Sequence, residues 1–185
     1  GRGLTPARSL TVLGIDPGTA TLGYGVVSGG LGTTRLLECG VVRTKAADAL
    51  PERLTTIFDA VTGLIARHQP DALAVEGIFH GKNARSALIL GHARGVVLLA
   101  AAQAGLAVAE ISPAEVKRAT TGTGAATKPQ VAAMVTSLLR LVEAPKPADA
   151  ADGVAIALTH LMRLAPRARG PGGARSSPGC VGGRL

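Results

Sequence analysis

An α/β fold, in which a mixed five-stranded sheet carries helices on both faces, is the fold class that this sequence predicts. Three strand patterns joined by short glycine-rich links open the chain, at residues 11–16, 22–29 and 33–42. Helical patterns then alternate with two short apolar runs, at 72–77 and 106–111. Helical patterns fill most of the remaining chain, which is typical of a sheet covered by helices.

The first three strands are apolar runs bounded by turn signals. TVLGID (11–16) ends at Asp16, directly before Pro17-Gly18. LGYGVVSG (22–29) and TTRLLECGVV (33–42) follow with few residues between them. Links this short suit antiparallel neighbours, so an antiparallel meander is predicted.

Two long helices alternate with the next two strands. Residues 50–68 carry apolar side chains at helical spacing, and Pro70-Asp71 ends the pattern. The run ALAVEG (72–77) is predicted to be a buried strand. A second long helix is predicted over 83–104, and LAVAEI (106–111) is the fifth strand.

Capping signals place the three C-terminal helices. Residues 112–115 (SPAE) and 127–130 (TKPQ) both have the capping-box pattern with proline near the first helical position. The second of these helices is predicted to run to about Leu141. The last helix lies in PADAADGVAIALTH, residues 147–160.

Composition excludes several classes of protein. Cys39 and Cys180 lie far apart without a Cys/His cluster, which argues against a disulfide framework and a zinc site. The sequence shows no run of eighteen uncharged apolar residues and no secretory signal. We therefore expect no membrane association and a cytoplasmic location.

The net charge of +8 is concentrated at the two ends of the chain. Residues 1–10 and 163–185 carry seven arginines and no acidic residue, whereas the body between them has 13 basic and 12 acidic residues. We expect a flexible arm over 1–10, one folded domain over 11–163 and a disordered Gly/Pro/Arg-rich tail over 164–185. Within the body, the segment 82–128 is basic, which suits binding of a polyanion.

Four carboxylates fall at the ends of predicted elements. Asp16 ends the first strand, Glu76 ends the fourth, and Asp149 and Asp152 share one face of the last helix at its start. If the first and fourth strands are neighbours, the four groups meet at one edge of the sheet. They cannot all stay ionised together unaided, so Mg²⁺ or another hard divalent cation is expected. Taken singly, each residue could instead serve a turn, a strand end or a helix cap.

Basic and aromatic side chains near these groups are candidates for contact with nucleic acid. Lys117 and Lys128 flank a Thr/Gly-rich connection and could hold a phosphate, or be ordinary solvated lysines. Phe79 lies in a predicted loop, where stacking on a base and packing within the protein are both open. The other candidates for phosphate contact are Lys82, Asn83, Arg85 and Arg118.

Four ordered motifs resemble those of the RuvC family, bacterial Holliday junction resolvases. They are GIDPGTATLGYGVV, VEGIFHGKNARSALILGHARG, SPAEVKRATTGTGAATKPQVAAMV and ADAADGVAIALTH, and together they span residues 11–163. The resemblance implies a ribonuclease-H-like fold and a homodimeric endonuclease with two Mg²⁺ or Mn²⁺ ions per active site. The implied metal-binding and catalytic residues are Asp16, Glu76, Asp149 and Asp152, with Lys117 and Lys128 assisting at the phosphate. One departure is Gly153, where the family more often has alanine; a mid-helix glycine could loosen the turn that carries Asp152.

The activity implied is paired, symmetric nicking of four-way DNA junctions in recombination and repair, leaving 5′-phosphate and 3′-hydroxyl ends. Phe79 would stack near the junction. The implied partners are junction DNA, a second copy of the chain packed on the helix over 83–104, and the RuvA–RuvB branch-migration complex, with no bound nucleotide.

Three other interpretations remain open on the sequence. GIDPGT also fits the first phosphate loop of actin-like ATP-binding enzymes, although these need two lobes and a second phosphate loop that the sequence does not show. A non-catalytic junction-binding protein would be marked by loss of a carboxylate, and all four are present. A ribonuclease H or transposase relative would use the same metal chemistry on another nucleic acid.

Overall fold

Ten helices and strands make up the part of the chain that the computed structural model describes, residues 9–30, 33–77 and 84–164. In chain order they are β1 (Leu10–Asp16), β2 (Thr21–Gly30), β3 (Thr33–Arg43), α1 (Leu50–His68), β4 (Ala72–Glu76), α2 (Ala84–Gln103), β5 (Ala107–Ile111), α3 (Pro113–Thr121), α4 (Lys128–Leu138) and α5 (Ala148–Leu164). The predicted α/β class is confirmed. Most of the predicted N-terminal arm and almost all of the predicted tail lie outside the described residues.

The five strands form one mixed sheet in the order β3-β2-β1-β4-β5. The first three strands are an antiparallel meander, as predicted, while β4 runs parallel to β1 and β5 runs parallel to β4. Parallel neighbours require long crossover connections, which α1 and α2 provide. Since β1 pairs directly with β4 up to Ile15 and Val75, Asp16 and Glu76 leave the sheet side by side.

Helices cover both faces of this sheet. Successive side chains of a strand point to opposite faces, so Leu13 and Ile15 of β1 join the core beneath α1 and α2. Val12 faces the other way and packs in a second core with Val135 of α4 and Leu158 of α5. The three central strands β1, β2 and β4 are mostly buried, which explains why their sequences are rich in apolar residues and glycine.

Helix α5 lies against the sheet with no room for side chains at several contact points. A Cβ atom added at Gly23 would stand 1.9 Å from the carbonyl oxygen of Asp149, and one at Gly153 would stand 2.6 Å from Cα of Tyr24. Gly153 is therefore a close-packing position. The second turn of α5 packs directly on β2 at this glycine.

Helix α4 ends at Leu138, three residues before the predicted end. Arg140 adopts a left-handed φ of 52°, which stops the helix. The turn that follows leads into the segment before α5, and Ala150 and Ala151 both donate backbone hydrogen bonds to the carbonyl of Pro147.

Helix α2 is the one described helix that is long and apolar enough to cross a membrane by length and composition. One side of it is buried in the core through Ala93, Val97 and Ala101. The opposite side leaves Leu88 65% exposed and Leu99 51% exposed. A single helix with one side in a protein core is weak evidence for a membrane span.

Candidate active site

Three elements bring the four predicted carboxylates to one edge of the sheet. Asp16 ends β1, Glu76 ends β4, and Asp149 and Asp152 occupy the first turns of α5. Carboxylate oxygens of Asp16, Asp149 and Asp152 lie within 4.8 Å of one another. The side chains of Asp16 and Glu76 are joined by a hydrogen bond. We refer to these four residues as the carboxylate cluster.

The local fold explains why the carboxylate cluster forms. The parallel pairing of β1 with β4 sets Asp16 beside Glu76, and β2 pairs Gly23 with Asp16 on the other side. Because Gly23 has no side chain, the backbone of Asp149 can pack directly on β2. The first turn of α5 is thereby held next to the end of β1.

Crowding of negative charge is strongest at Asp16. Its burial, followed by the charge of Glu76 and the hydrogen bond to it, raises the pKa of Asp16 to about 8, and the charges of Asp152 and Asp149 act in the same direction. In the metal-free protein at neutral pH, the Asp16 carboxyl group is therefore mostly protonated.

Lys128 supplies one positive charge at the rim of the cluster. Its Nζ donates to Oδ2 of Asp152 at 3.1 Å. The hydrogen bond to Asp152 and its charge raise the pKa of Lys128, so the ammonium group is firmly charged at neutral pH. One exposed ammonium cannot balance four carboxylates, because its pairing reaches only Asp152 directly.

A cleft between α3, α4 and α5 opens beside the carboxylate cluster. Glu76, Asp152, Lys117 and Lys128 all line it, so the two predicted lysines and two of the predicted carboxylates share one cavity. The remaining lining is mostly apolar and comes from Pro113, Val116, Val131, Ala132, Val135, Pro145, Ala151, Ala155 and Ile156. An anion bound in the cleft would therefore have two lysines in its lining.

The other predicted contact residues are less central or undescribed. Arg118 is exposed on α3 and Arg85 is exposed in the first turn of α2, and neither lines the cleft. Phe79, Lys82 and Asn83 lie outside the described residues. Their predicted roles in DNA contact stay predictions.

Arg94 is a residue near the site whose contact the sequence did not reveal. It is buried in α2, and its Nη1 donates to the backbone carbonyl oxygen of Glu76 at 2.6 Å. It also forms an ion pair with Glu110 of β5. The available signal in the sequence was one arginine inside the predominantly apolar segment LGHARGVVLL, residues 90–99.

The donor set of the carboxylate cluster fits a divalent metal ion. Carboxylate oxygens are the ligands that Mg²⁺ and Mn²⁺ prefer, and the three aspartates present theirs within reach of a single ion. A bound cation would also relieve the repulsion that keeps Asp16 protonated. The acidic cluster could therefore bind metal.

Comparison with known proteins gives consistent results over most of the chain. Residues 12–160 match a family model described as crossover junction endodeoxyribonuclease RuvC. A protein of that name from Moorella thermoacetica is 50% identical over 151 residues, covering 82% of this chain and 90% of that protein. One from Parafrankia sp. is 48% identical over 178 residues, covering 95% and 99%.

A solved structure with a similar fold carries the same family name. The structure of T. thermophilus RuvC in complex with Holliday junction substrate matches with a TM-score of 0.79 and 43% sequence identity. The match covers 82% of this chain and 92% of that chain. The similarity in fold therefore extends over most of the chain.

Proposed function

The chain belongs to the RuvC family of crossover junction endodeoxyribonucleases, and from this premise we propose how its residues cut DNA. It is a Holliday junction resolvase, and the match to a solved RuvC structure confirms the ribonuclease-H-like fold that the motifs implied. The observation that carries the proposal is the carboxylate cluster, in which three aspartates present oxygens within 4.8 Å of one another at a sheet edge.

We propose that the catalytic metal site consists of Asp16, Glu76, Asp149 and Asp152 and holds two Mg²⁺ or Mn²⁺ ions. Such ions, when bound, lower the pKa of a water and neutralise charge that develops on the phosphate. The proposal is supported by the hard oxygen donors and by the raised pKa of Asp16, which reflects its burial first and the neighbouring negative charges second. Glu76 on β4 and Asp149 on α5 flank Asp16 on β1, so residues from three separate elements would bind the ions.

Lys117 and Lys128 are proposed to bind the scissile phosphate. Both line the cleft that opens on the cluster, and Lys128 already stands 3.1 Å from Asp152. A phosphate oxygen at the mouth of the cleft would accept hydrogen bonds from these ammonium groups, which would favour the extra negative charge of the transition state. Hydrolysis there would leave a 5′-phosphate and a 3′-hydroxyl, ends that a ligase can rejoin.

The DNA itself is proposed to lie across α3 and the start of α2. Arg118 and Arg85 are exposed on these helices and would contact backbone phosphates. The segment between β4 and α2, which follows Glu76 directly in the chain, holds the other predicted contacts. There Lys82 and Asn83 would bind phosphate, and Phe79 would stack on an unpaired base at the crossover.

A homodimer is proposed because a four-way junction presents two strands to be cut in related positions. A two-fold dimer would place one active site on each. The exposed side of α2 is the proposed interface, since Leu88 and Leu99 leave apolar surface there beside the small residues Gly91 and Gly95. The RuvA–RuvB complex as partner and a cytoplasmic location are proposed from membership of the family alone.

Cleavage of a synthetic four-way junction, beside a linear duplex of the same sequence, tests the function. With Mg²⁺ or Mn²⁺ we expect paired nicks of like polarity near the crossover, absent with EDTA and absent on the duplex. Asp149→Asn should abolish nicking without abolishing junction binding. Asp59→Asn, which changes an exposed aspartate on α1, is the matched control and should cut normally.

The outcomes separate the proposal from its alternative. Tight junction binding without cutting under either metal would indicate a non-catalytic junction-binding protein. Cutting by Asp149→Asn at the rate of the unaltered protein would remove the carboxylate cluster from the mechanism.

A further inference from the structure

We propose that Arg94 is a positioning residue for the active site, which fixes the Glu76 carboxylate beside Asp16 by holding the Glu76 carbonyl. The inference rests on the proposed role of Glu76 in the metal site. Arg94 does not itself reach the reacting atoms. It acts through the backbone of β4.

The contacts of Arg94 join three elements beneath the site. Its side chain on α2 is only 6% exposed, and Nη1 donates to the carbonyl oxygen of Glu76 at 2.6 Å. Nη2 of the same guanidinium is paired with Oε1 of Glu110 on β5. One planar group thus binds the end of β4 and the neighbouring strand at once.

The end of β4 needs this contact because the ladder to β1 stops one residue earlier. The last pair between the two strands is Ile15 with Val75. The amide of Gly77 points toward β5 and donates to the carbonyl of Ile111 at 2.8 Å. Because the two groups of a trans peptide point in opposite directions, the Glu76 carbonyl points to the β1 side, beyond the last pair.

Arg94 therefore provides a charged donor at the point where β-sheet pairing no longer holds the strand. A buried carbonyl without a donor is unfavourable, so loss of Arg94 would let the end of β4 shift toward other donors or water. The Glu76 side chain, attached to the same residue, would move with it. Its hydrogen bond to Asp16 and its place in the metal site would then be lost or weakened.

A purely structural role for Arg94 would depend on its ion pair with Glu110. That partner is 64% exposed, whereas Arg94 is buried. Glu110 is dispensable for metal binding if the contact of Arg94 with the Glu76 carbonyl is what positions the site. The two contacts can therefore be separated by changing one partner at a time.

The experiment compares Arg94→Met, Arg94→Lys and Glu110→Gln with the unaltered protein. Thermal unfolding in EDTA establishes that each variant is folded. Isothermal titration calorimetry then measures the dissociation constant of Mn²⁺ without DNA. Junction cleavage gives the Mn²⁺ concentration for half-maximal rate, and the unaltered protein must itself cut junctions if the proposed function is right.

We expect Arg94→Met to raise both Mn²⁺ constants by about 10- to 100-fold, as changes to groups that orient metal ligands do. Glu110→Gln should stay within about twofold, because the contact of Arg94 with the Glu76 carbonyl remains in this variant. Arg94→Lys should fall between them, since one ammonium reaches only one of the two acceptors.

Three results would overturn the inference. In a junction-cutting protein, a folded Arg94→Met with unchanged Mn²⁺ binding would show that the Glu76 carbonyl contact does not position the site. Equal losses in Glu110→Gln and Arg94→Met would assign the effect to the ion pair. If Arg94→Met does not fold, Arg94→Lys decides, and Mn²⁺ binding equal to that of the unaltered protein would overturn the proposal.

Discussion

Replacing Asp16 by asparagine should make the metal-free protein less sensitive to pH while abolishing its nuclease activity. Burial and the neighbouring Glu76 raise the pKa of Asp16 in the folded protein to about 8. In the unfolded chain the pKa of an aspartate is about 3.9. Over most of the pH range between these two values, Asp16 is therefore protonated in the folded state and ionised in the unfolded state.

The sign and size of the effect follow from proton linkage. Stability that protonated Asp16 contributes is fully present below about pH 4 and is lost as pH rises through about 8. Near the middle of this range the free energy of unfolding falls by at most about 1.4 kcal/mol per pH unit from this group. Between pH 5 and 7 the loss is therefore up to about 3 kcal/mol. The Asp16 carboxylate is only half-buried and keeps some contact with water, which reduces this loss of stability.

Urea unfolding in EDTA at pH 5, 6 and 7, followed by circular dichroism, measures this dependence. Asp16→Asn should show a flatter pH profile than the unaltered protein, and the difference between the two isolates Asp16 because all other groups are shared. Asp59→Asn should keep the original slope. Parallel profiles for Asp16→Asn and the unaltered protein would refute the argument that the carboxylate cluster forces a proton onto Asp16.

Two further substitutions test the scaffold and the interface. Gly23→Ala places a Cβ 1.9 Å from the carbonyl oxygen of Asp149, so we expect α5 to shift. The free energy of unfolding should fall by about 1–3 kcal/mol, and the Mn²⁺ concentration needed for cleavage should rise. Gly63→Ala is the control, because its Cβ meets open space in α1, and it should be neutral or stabilising in urea unfolding. Leu88→Asp should convert the dimer to a monomer in sedimentation velocity. It should not lower the melting temperature of the monomer, because this side chain is 65% exposed within one chain. An unchanged sedimentation coefficient would contradict the proposed α2 interface.

Features that depend on neighbouring residues along the chain could be predicted from the sequence. The capping boxes at Ser112 and Thr127 form as their spacing indicated, with side chains accepting from Glu115 N and Gln130 N. The order of strands and helices could also be predicted, because each element is marked by the pattern of residues within its own segment. To predict the site from the order of the strands and helices, one more assumption was needed, namely that β1 and β4 are neighbours in the sheet. Their direct pairing confirms it.

Features that depend on distances between elements could not be predicted. Arg94 bonds to a backbone carbonyl, and a carbonyl is the same group in every residue, so nothing in the sequence of β4 marks the acceptor. The glycine at 153 looked like a weak point of a helix, since helix propensity is a property of the helix alone. Its role comes from the approach of Tyr24 on another element, which only the folded chain reveals.

Lys128 offers a last test, because its two proposed contacts predict opposite effects on metal binding and on rate. The ammonium group pairs with Asp152, a proposed metal ligand, and so competes with a cation for that carboxylate. Lys128 is 84% exposed and Asp152 is 36% exposed, so the pair is worth at most about 1 kcal/mol, or about fivefold in a dissociation constant.

Lys128→Met should therefore bind Mn²⁺ up to about fivefold more tightly in calorimetry without DNA. The same variant should cut junctions about 100-fold more slowly or worse at saturating metal, because a donor to the phosphate is gone. Single-turnover cleavage under saturating Mn²⁺ measures the second effect separately from the first. If both metal binding and rate were weakened together, Lys128 would act by organising Asp152, and the phosphate contact would have to be assigned to Lys117 alone.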